Sequence, residues 1–177
     1  MKRFLVVTDM QKDFVDGALG TPEAVAILEA AAGKIAAFEG EIFVTMDTHF
    51  ENYLSTAEGK KLPVPHCIKG SDGWQLHGAI QKALEENKRA KVVIVEKNSF
   101  GSLELPEKLR QAAEDEPFSV ELIGLCTDIC VISNAILLKA HFPEQQILVD
   151  ASCCAGVTPE THRAALDTMK MCQIEIK

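Results

Sequence analysis

The feature that most narrows the fold of this sequence is the recurrence of short apolar runs, rich in Val, Ile and Leu, at intervals that leave room for a helix between them. They cover Arg3 to Thr8, Glu41 to Met46, Lys91 to Val95, Ser119 to Ile123, Gln145 to Val149 and a short Gln173 to Ile176. Continuous apolar runs, unlike alternating ones, suit strands of a parallel sheet, because helices cover both of its faces. The intervening segments carry helix signals. Thr21-Pro22 is a good N-cap and first-turn pair, predicting a helix to about Phe38 with Gly40 as its stop. Leu76 to Glu86 and Leu105 to Ala113 repeat apolar residues at helical spacing. Asp128 is a candidate cap for a helix from Ile129 to about Ala140, and Thr158-Pro159 opens another that reaches roughly Met171. Strands alternating with helices predict an α/β fold: a doubly wound, mostly parallel six-stranded sheet with helices on both faces, a Rossmann-like three-layer arrangement. With 177 residues, 47% of them hydrophobic, one domain over residues 1–177 is expected.

Thr48 to Gly73 breaks the pattern, with Pro63 and Pro65 near its middle and no sustained period. A long loop inside a compact fold is usually functional or disordered, and its two histidines and its acids favour function. The net charge of -8 argues against nucleic acid or an anionic membrane as partner, since the basic residues are scattered among acids. The N-terminal apolar run meets Asp9 almost at once, so neither a signal segment nor a membrane span is expected, and a cytoplasmic setting is. The six cysteines lack the spacing of a disulfide framework or a CxxC site and read as thiols.

In an open α/β sheet, ligands bind beyond the carboxyl ends of the strands, near the point where strand order reverses. The first run ends in Thr8-Asp9, the second in Met46-Asp47-Thr48-His49, the third in Glu96-Lys97-Asn98 and the fourth in Gly124-Leu125-Cys126-Thr127-Asp128-Ile129-Cys130. One rim thus receives an acid, an Asp/His metal-ligand pair, a lysine and a cysteine. Taken singly, each has an ordinary explanation as a turn former, a solvated cation or a small buried residue. Together they make a chemistry. A thiol becomes nucleophilic on deprotonation, and a helix start and the Lys97 cation are expected to lower the pKa of Cys130. Asp9, if partly buried, can take that proton and return it to a leaving amine. Backbone N–H groups of the turn before Cys130 can face a developing oxyanion.

These residues resemble the isochorismatase-like cysteine hydrolases, through VTDMQKDF (Val7 to Phe14), Lys97 after VVIVE, and GLCTDICV (Gly124 to Val131). The resemblance covers nearly the whole chain and is nearest to nicotinamidases. It implies an isochorismatase-like fold, Asp9 as base, Lys97 as charge stabiliser, Cys130 as nucleophile, and an oxyanion hole from the amides of Cys126 and Cys130. A cis peptide between Leu125 and Cys126 is implied as well. It further implies a metal site. Asp47-Thr48-His49 looks like the Asp-x-His of nicotinamidases and Pro65-His66-Cys67 like their Pro-His-Cys, while Glu58 stands where some carry a fourth ligand and Tyr53 where others carry a His. Asp47, His49, Glu58 and His66 would hold a divalent ion, Zn²⁺ foremost, with Mn²⁺ or Fe²⁺ compatible. One departure stands out: Pro63 replaces the aromatic that commonly lines the ring pocket, leaving Phe14, Leu19 and Phe100 as candidate walls.

The expected function is hydrolysis of a small carboxamide, nicotinamide to nicotinate and ammonia foremost, through a Cys130 thioester, by a homo-oligomer. A related amidase acting on carbamoyl, ureido or other small amides is the enzymatic alternative, and a flavodoxin-like binding or redox module the non-enzymatic one. Isochorismatase chemistry proper, on a vinyl ether, does not need the cysteine. Trp74 is expected to be a packing anchor, His77, His141 and His162 to be surface or capping residues away from the rim, and Cys153-Cys154 to be small buried residues following the fifth strand. Asp150, at that strand's end, is expected to orient neighbouring loops.

Overall fold

In the computed structural model, which describes residues 1–177, the apolar runs form β1 (Lys2–Thr8), β2 (Glu41–Asp47), β3 (Lys91–Lys97), β4 (Phe118–Leu125), β5 (Gln146–Ala155) and β6 (Glu175–Ile176). They make one sheet in the order β3-β2-β1-β4-β5-β6, and every pairing is parallel. Strand order therefore reverses between β1 and β4, which puts the switch point at the carboxyl ends carrying Asp9 and Cys130. The helices are α1 (Lys12–Val15), α2 (Pro22–Ala26), α3 (Leu28–Ala37), α4 (Ala57–Lys61), α5 (Gly78–Glu86), α6 (Leu105–Ala113), α7 (Ile132–His141) and α8 (Pro159–Met171). None is long and apolar enough to cross a membrane.

The alternation within each strand explains the three layers. Leu5, Val7, Ile42 and Val44 meet Ala31 and Ile35 of α3 and Ile80, Ala83 and Leu84 of α5 on one face. Phe4, Val6, Phe43, Val95, Val120 and Leu122 meet Leu105 and Leu109 of α6, Ala135 and Leu138 of α7, and Leu166 and Met169 of α8 on the other. Each fully buried aliphatic side chain contributes about 1.5–3 kcal/mol, so the central strands anchor the site above them.

Four details depart from the sequence reading. The helix expected from Thr21 to Phe38 is broken at Ile27, because the segment serves two clusters: Ala24 of α2 packs with Phe14 and Val15, while α3 packs on the sheet. Asp128 does not cap a helix. Its carboxylate accepts from the Val157 amide at 3.1 and 3.2 Å, and a π-helical turn, Thr127–Val131, precedes α7. β5 continues through Ala155, so Cys153 and Cys154 lie buried within the strand and Asp150 in its middle. Asp150 does accept from both the amide and the hydroxyl of Ser152, and it shares the Lys34 ammonium of α3 with Glu121. Finally, the stretch from Thr48 to Gly73 is ordered by a 3₁₀ turn at Tyr53–Ser55, by α4, and by an exchange between the His49 amide and Cys67 carbonyl and between the Lys69 amide and His49 carbonyl, at 2.9 and 2.8 Å.

Gly124 is where β1 and β4 are allowed to come together. Its φ is +114°, and a Cβ placed there would lie 2.2 Å from the Thr8 carbonyl oxygen. The register of β4 against β5 shifts at the same place, between Leu122 and Gly124, turning the strand end toward Asp9. Gly124→Ala should therefore destabilise the protein by about 2 kcal/mol or more, from the forbidden dihedral and the overlap with β1 together. Urea unfolding measures this, and a loss below roughly 0.5 kcal/mol, the scale of an unconstrained surface change, would contradict the close-approach argument.

Candidate active site

Three strand ends converge on one ammonium. Lys97, the last residue of β3, is buried with its Nζ 2.7 Å from Asp9 Oδ2, 3.4 Å from Asp47 Oδ1 and 3.5 Å from Cys130 Sγ. Asp9 follows β1 in the left-handed region, at φ 47°, a conformation that a non-glycine residue adopts only where its surroundings enforce it. Its Oδ1 accepts from the Thr45 hydroxyl at 2.6 Å. Its Oδ2 faces the ammonium but takes part in no well-aligned hydrogen bond, so a lone pair remains for a proton. Burial raises the Asp9 pKa, and the Asp47 charge adds to this, against the lowering influence of Lys97 and Thr45. The Lys97 ammonium stays charged despite burial because Asp9, Cys130 and Asp47 all favour the cation.

Cys130 differs from the sequence reading in one respect. Its pKa lies well above the ordinary thiol value, because burial and then the Asp9 carboxylate outweigh Lys97. Burial therefore favours the protonated thiol over a preformed thiolate. The turn around it is closely held: the Ile129 and Val131 amides both donate to the Cys126 carbonyl at 3.1 Å, and the fully buried Asn134 side chain donates to the Cys130 carbonyl at 2.8 Å. The Leu125–Cys126 peptide is cis. The Cys126 N–H has no protein acceptor, which leaves it free to donate to a substrate oxygen. The Cys126 thiol itself is pushed up to about 12 by burial.

Asp47, His49, Glu58 and His66 gather beside this trio, with donor atoms all within 4.8 Å of one another. His49 Nε2 lies 2.9 Å from Asp47 Oδ2 and 3.6 Å from Glu58 Oε1, and His66 Nε2 lies 3.6 Å from each of the same two oxygens. Ligands 2.0–2.1 Å from a tetrahedral ion stand about 3.3 Å apart, so these spacings suit a metal. The second observation is the tautomer. His66 Nδ1 donates to the Val64 carbonyl at 2.8 Å, which turns Nε2 toward two carboxylates, where it can carry a proton or ligate a cation. Burial works against protonating His66, but Asp47, Val64 and Glu58 outweigh it and hold its pKa above the usual imidazole value. Burial likewise opposes the charge on Asp47, yet His49, His66 and Lys97 hold its carboxyl well below the ordinary range. The buried cluster can therefore coordinate a divalent metal.

A cavity of about 690 Å³ opens over this region, walled by Phe50, Leu62, Phe100 and Ile129 among others. Phe100 thus lines it, as the sequence suggested. Phe14 and Leu19 do not; they pack with Val15, Cys67 and Leu125 behind the metal ligands, the Phe14 ring 5.4 Å from that of His66. Tyr53, in the position where a further His ligand was considered, is buried with its ring against both histidines at 4.7 and 5.0 Å and its hydroxyl on the Leu62 carbonyl.

Several residues that build the site had been given no role. Gln11 is fully buried, and its side-chain amide takes both backbone groups of Asp47, donating to the carbonyl and accepting from the N–H at 2.8 Å each. Asp13 accepts from the Cys67 amide at 2.8 Å and so ties down the His66 segment. Both belong to the motif VTDMQKDF, where a carboxamide and an acid beside Asp9 were the available signal. His162 corrects the expectation that it lies away from the rim, since its Nδ1 is 2.8 Å from the hydroxyl of Thr127, next to Cys126. His77 does cap α5, and the partly buried Trp74 packs against two core clusters with its indole N–H on the Thr48 hydroxyl.

Comparison with known proteins agrees with this geometry. The Isochorismatase domain family matches residues 3–176. An uncharacterized isochorismatase family protein, PncA, of Bacillus subtilis (strain 168) is 30% identical over 176 residues, 94% of this chain and 93% of that protein. Among solved structures, pyrazinamidase/nicotinamidase from Streptococcus mutans superposes with a TM-score of 0.81 at 30% identity, covering 99% of this chain and 100% of that one. Nicotinamidase/pyrazinamidase PncA from Bacillus subtilis gives a TM-score of 0.83 at 27% identity, covering 99% of each chain. A family match over almost every residue, on a fold whose strand ends bring the Asp, Lys and Cys together, makes this chain a member of the isochorismatase family.

Proposed function

We propose that the protein is a cysteine amidohydrolase that cleaves a small carboxamide, with Cys130 as nucleophile, Asp9 as proton carrier and Lys97 as the fixed cation between them. The observation that carries this reading is the buried contact of one ammonium with both the carboxylate and the sulfur, at 2.7 and 3.5 Å. Nicotinamide is the first substrate to assay, since the relatives at 27 and 30% identity are described as nicotinamidases. Pro63, in place of a ring-stacking aromatic, favours the second reading, an amidase acting on ureido or other amides.

The reaction runs in two halves. Because burial favours the protonated thiol, attack on the amide carbon is coupled to transfer of the thiol proton to Asp9. The amides of Cys126 and Cys130 receive the oxyanion, and Lys97 keeps Asp9 and the sulfur in register. Asp9 gives its proton to the departing nitrogen, the C–N bond breaks, and ammonia leaves a thioester on Cys130. A water then loses a proton to Asp9 and adds to the thioester; the acid leaves and the thiol is restored. Asp47, His49, Glu58 and His66 would hold the divalent ion, Zn²⁺ first, with Gln11 fixing the Asp47 backbone. A bound ion there would orient and polarise an electron-rich group of the substrate.

Ammonia release tests the covalent role: Cys130→Ala should lower kcat by about 10³ or more with the unfolding midpoint retained, and turnover near the wild-type rate would remove Cys130 from the reaction. Because Asp9 must be ionised to accept the thiol proton, and its pKa is raised, kcat/KM at saturating metal should fall on the acid side above the usual carboxylate value of about 4. A limb at or below that value would contradict the buried-base assignment. Metal analysis of purified protein separates ligands from their supports. His66→Ala should lose most of the bound ion, whereas Gln11→Leu, which touches no ion directly, should weaken binding about 10- to 100-fold; retention by both variants would move the metal elsewhere.

A further inference from the structure

The cavity that reaches the reacting groups through Asn98 and Ile129, the chain neighbours of Lys97 and Cys130, is furnished for more than a small neutral ring. Its volume of about 690 Å³ falls among sites for ligands considerably larger than a single-ring amide. Its charges are unequal in their freedom. The one acid in the wall, Glu58, turns to His49 and His66. The one cation, Lys61, at the end of α4, takes part in no ion pair and no hydrogen bond. Lys97, the nearest comparable group, is committed to Asp9 and Asp47.

The neutral polar groups divide in the same way. Thr48, Thr56 and Ser99 give their hydroxyl protons to the backbone carbonyls of Met46, Tyr53 and Gly101. Asn52 and Asn98, in contrast, line the cavity with side-chain amides that no protein group engages. Asn52, Lys61 and Asn98 are solvent-exposed at this wall, so an ammonium and two carboxamides with no protein partner are open to a ligand, and with the apolar Phe50, Leu62, Phe100 and Ile129 they suit a carboxylate on an apolar body.

Resting on the amidase reading above, we infer that the preferred substrate is an anionic amide: a carboxamide or ureido group at Cys130 joined through an apolar segment to a carboxylate held by Lys61, with Asn52 and Asn98 as further donors. Selectivity then comes from an exposed charge on the cavity wall, separate from the reacting trio.

The test uses metal-loaded enzyme and pairs of amides that share a skeleton and differ by one carboxylate, such as nicotinamide with a ring-carboxylated nicotinamide, and butyramide with succinamate. Wild-type kcat/KM should favour the anionic member of at least one pair by roughly two- to fivefold, the range of an exposed charge pair, and the preference should shrink as salt rises. Lys61→Ala should bring that anionic-to-neutral ratio near one, Lys61→Glu should invert it, and Lys61→Arg should keep it. A ratio near one in every pair for the wild type, or the same ratio in Lys61→Ala, overturns the inference while Cys130-dependent ammonia release from neutral amides leaves the amidase reading intact. No ammonia from either member of any pair overturns the amidase reading itself, and the inference with it.

Discussion

The site is organised around a single buried ammonium. Lys97 enters from the last residue of β3 and meets carboxylates that enter from β1 and β2 and a sulfur that enters from the turn after β4. A charge of this kind is tolerated inside a protein only when its partners are fixed around it, and removing one side of such a pair typically costs about 3–5 kcal/mol. The sheet supplies that fixity. Parallel register sets Thr8 beside Thr45 and beside Gly124, and Asp47 beside Lys97, so the reacting groups inherit their separation from backbone hydrogen bonds.

The same ammonium joins two chemistries that could have been separate. It touches the thiol directly, and through Asp47 it reaches the histidine pair. Asp47 therefore has one oxygen toward the lysine and the other toward the metal ligands, and its backbone is locked by Gln11, two residues beyond Asp9. A change in charge at the metal cluster is thus felt at the proton carrier through one shared carboxylate and one shared cation. Burial shifts both Asp9 and Cys130 upward, so each favours its protonated form and the proton passes between two groups that both resist ionisation.

The architecture was legible in the sequence because it rests on apolar periodicity, which is a local property. Six runs became six strands, and the rule that ligands gather beyond strand ends was enough to draw Asp9, Asp47, His49, Lys97 and Cys130 together before any coordinates. What the sequence hid was non-local. The break at Ile27 depends on which clusters the two halves of the helix meet. The extension of β5 through Cys154 depends on a register shift beside Gly124. The thiol's raised pKa depends on burial that opposes the lysine, a competition that residue types alone do not decide. Gln11, Asn134 and His162 were missed for a common reason: each acts on the backbone or hydroxyl of a distant segment, with separations that no motif records. The Phe14 ring lies 5.4 Å from that of His66 and packs with Val15, Cys67 and Leu125, contacts that its place in the motif does not reveal.

The central claim is that sulfur, carboxylate and ammonium act as one unit on an amide carbonyl, and that the acyl group passes through Cys130. Intact-protein and peptide mass spectrometry of enzyme quenched in acid during turnover of an amide tests this most directly. The account predicts an acyl adduct confined to the peptide carrying Cys130 and released as hydrolysis proceeds. Turnover with that peptide unmodified at every quench time, or an adduct on another residue, would contradict it.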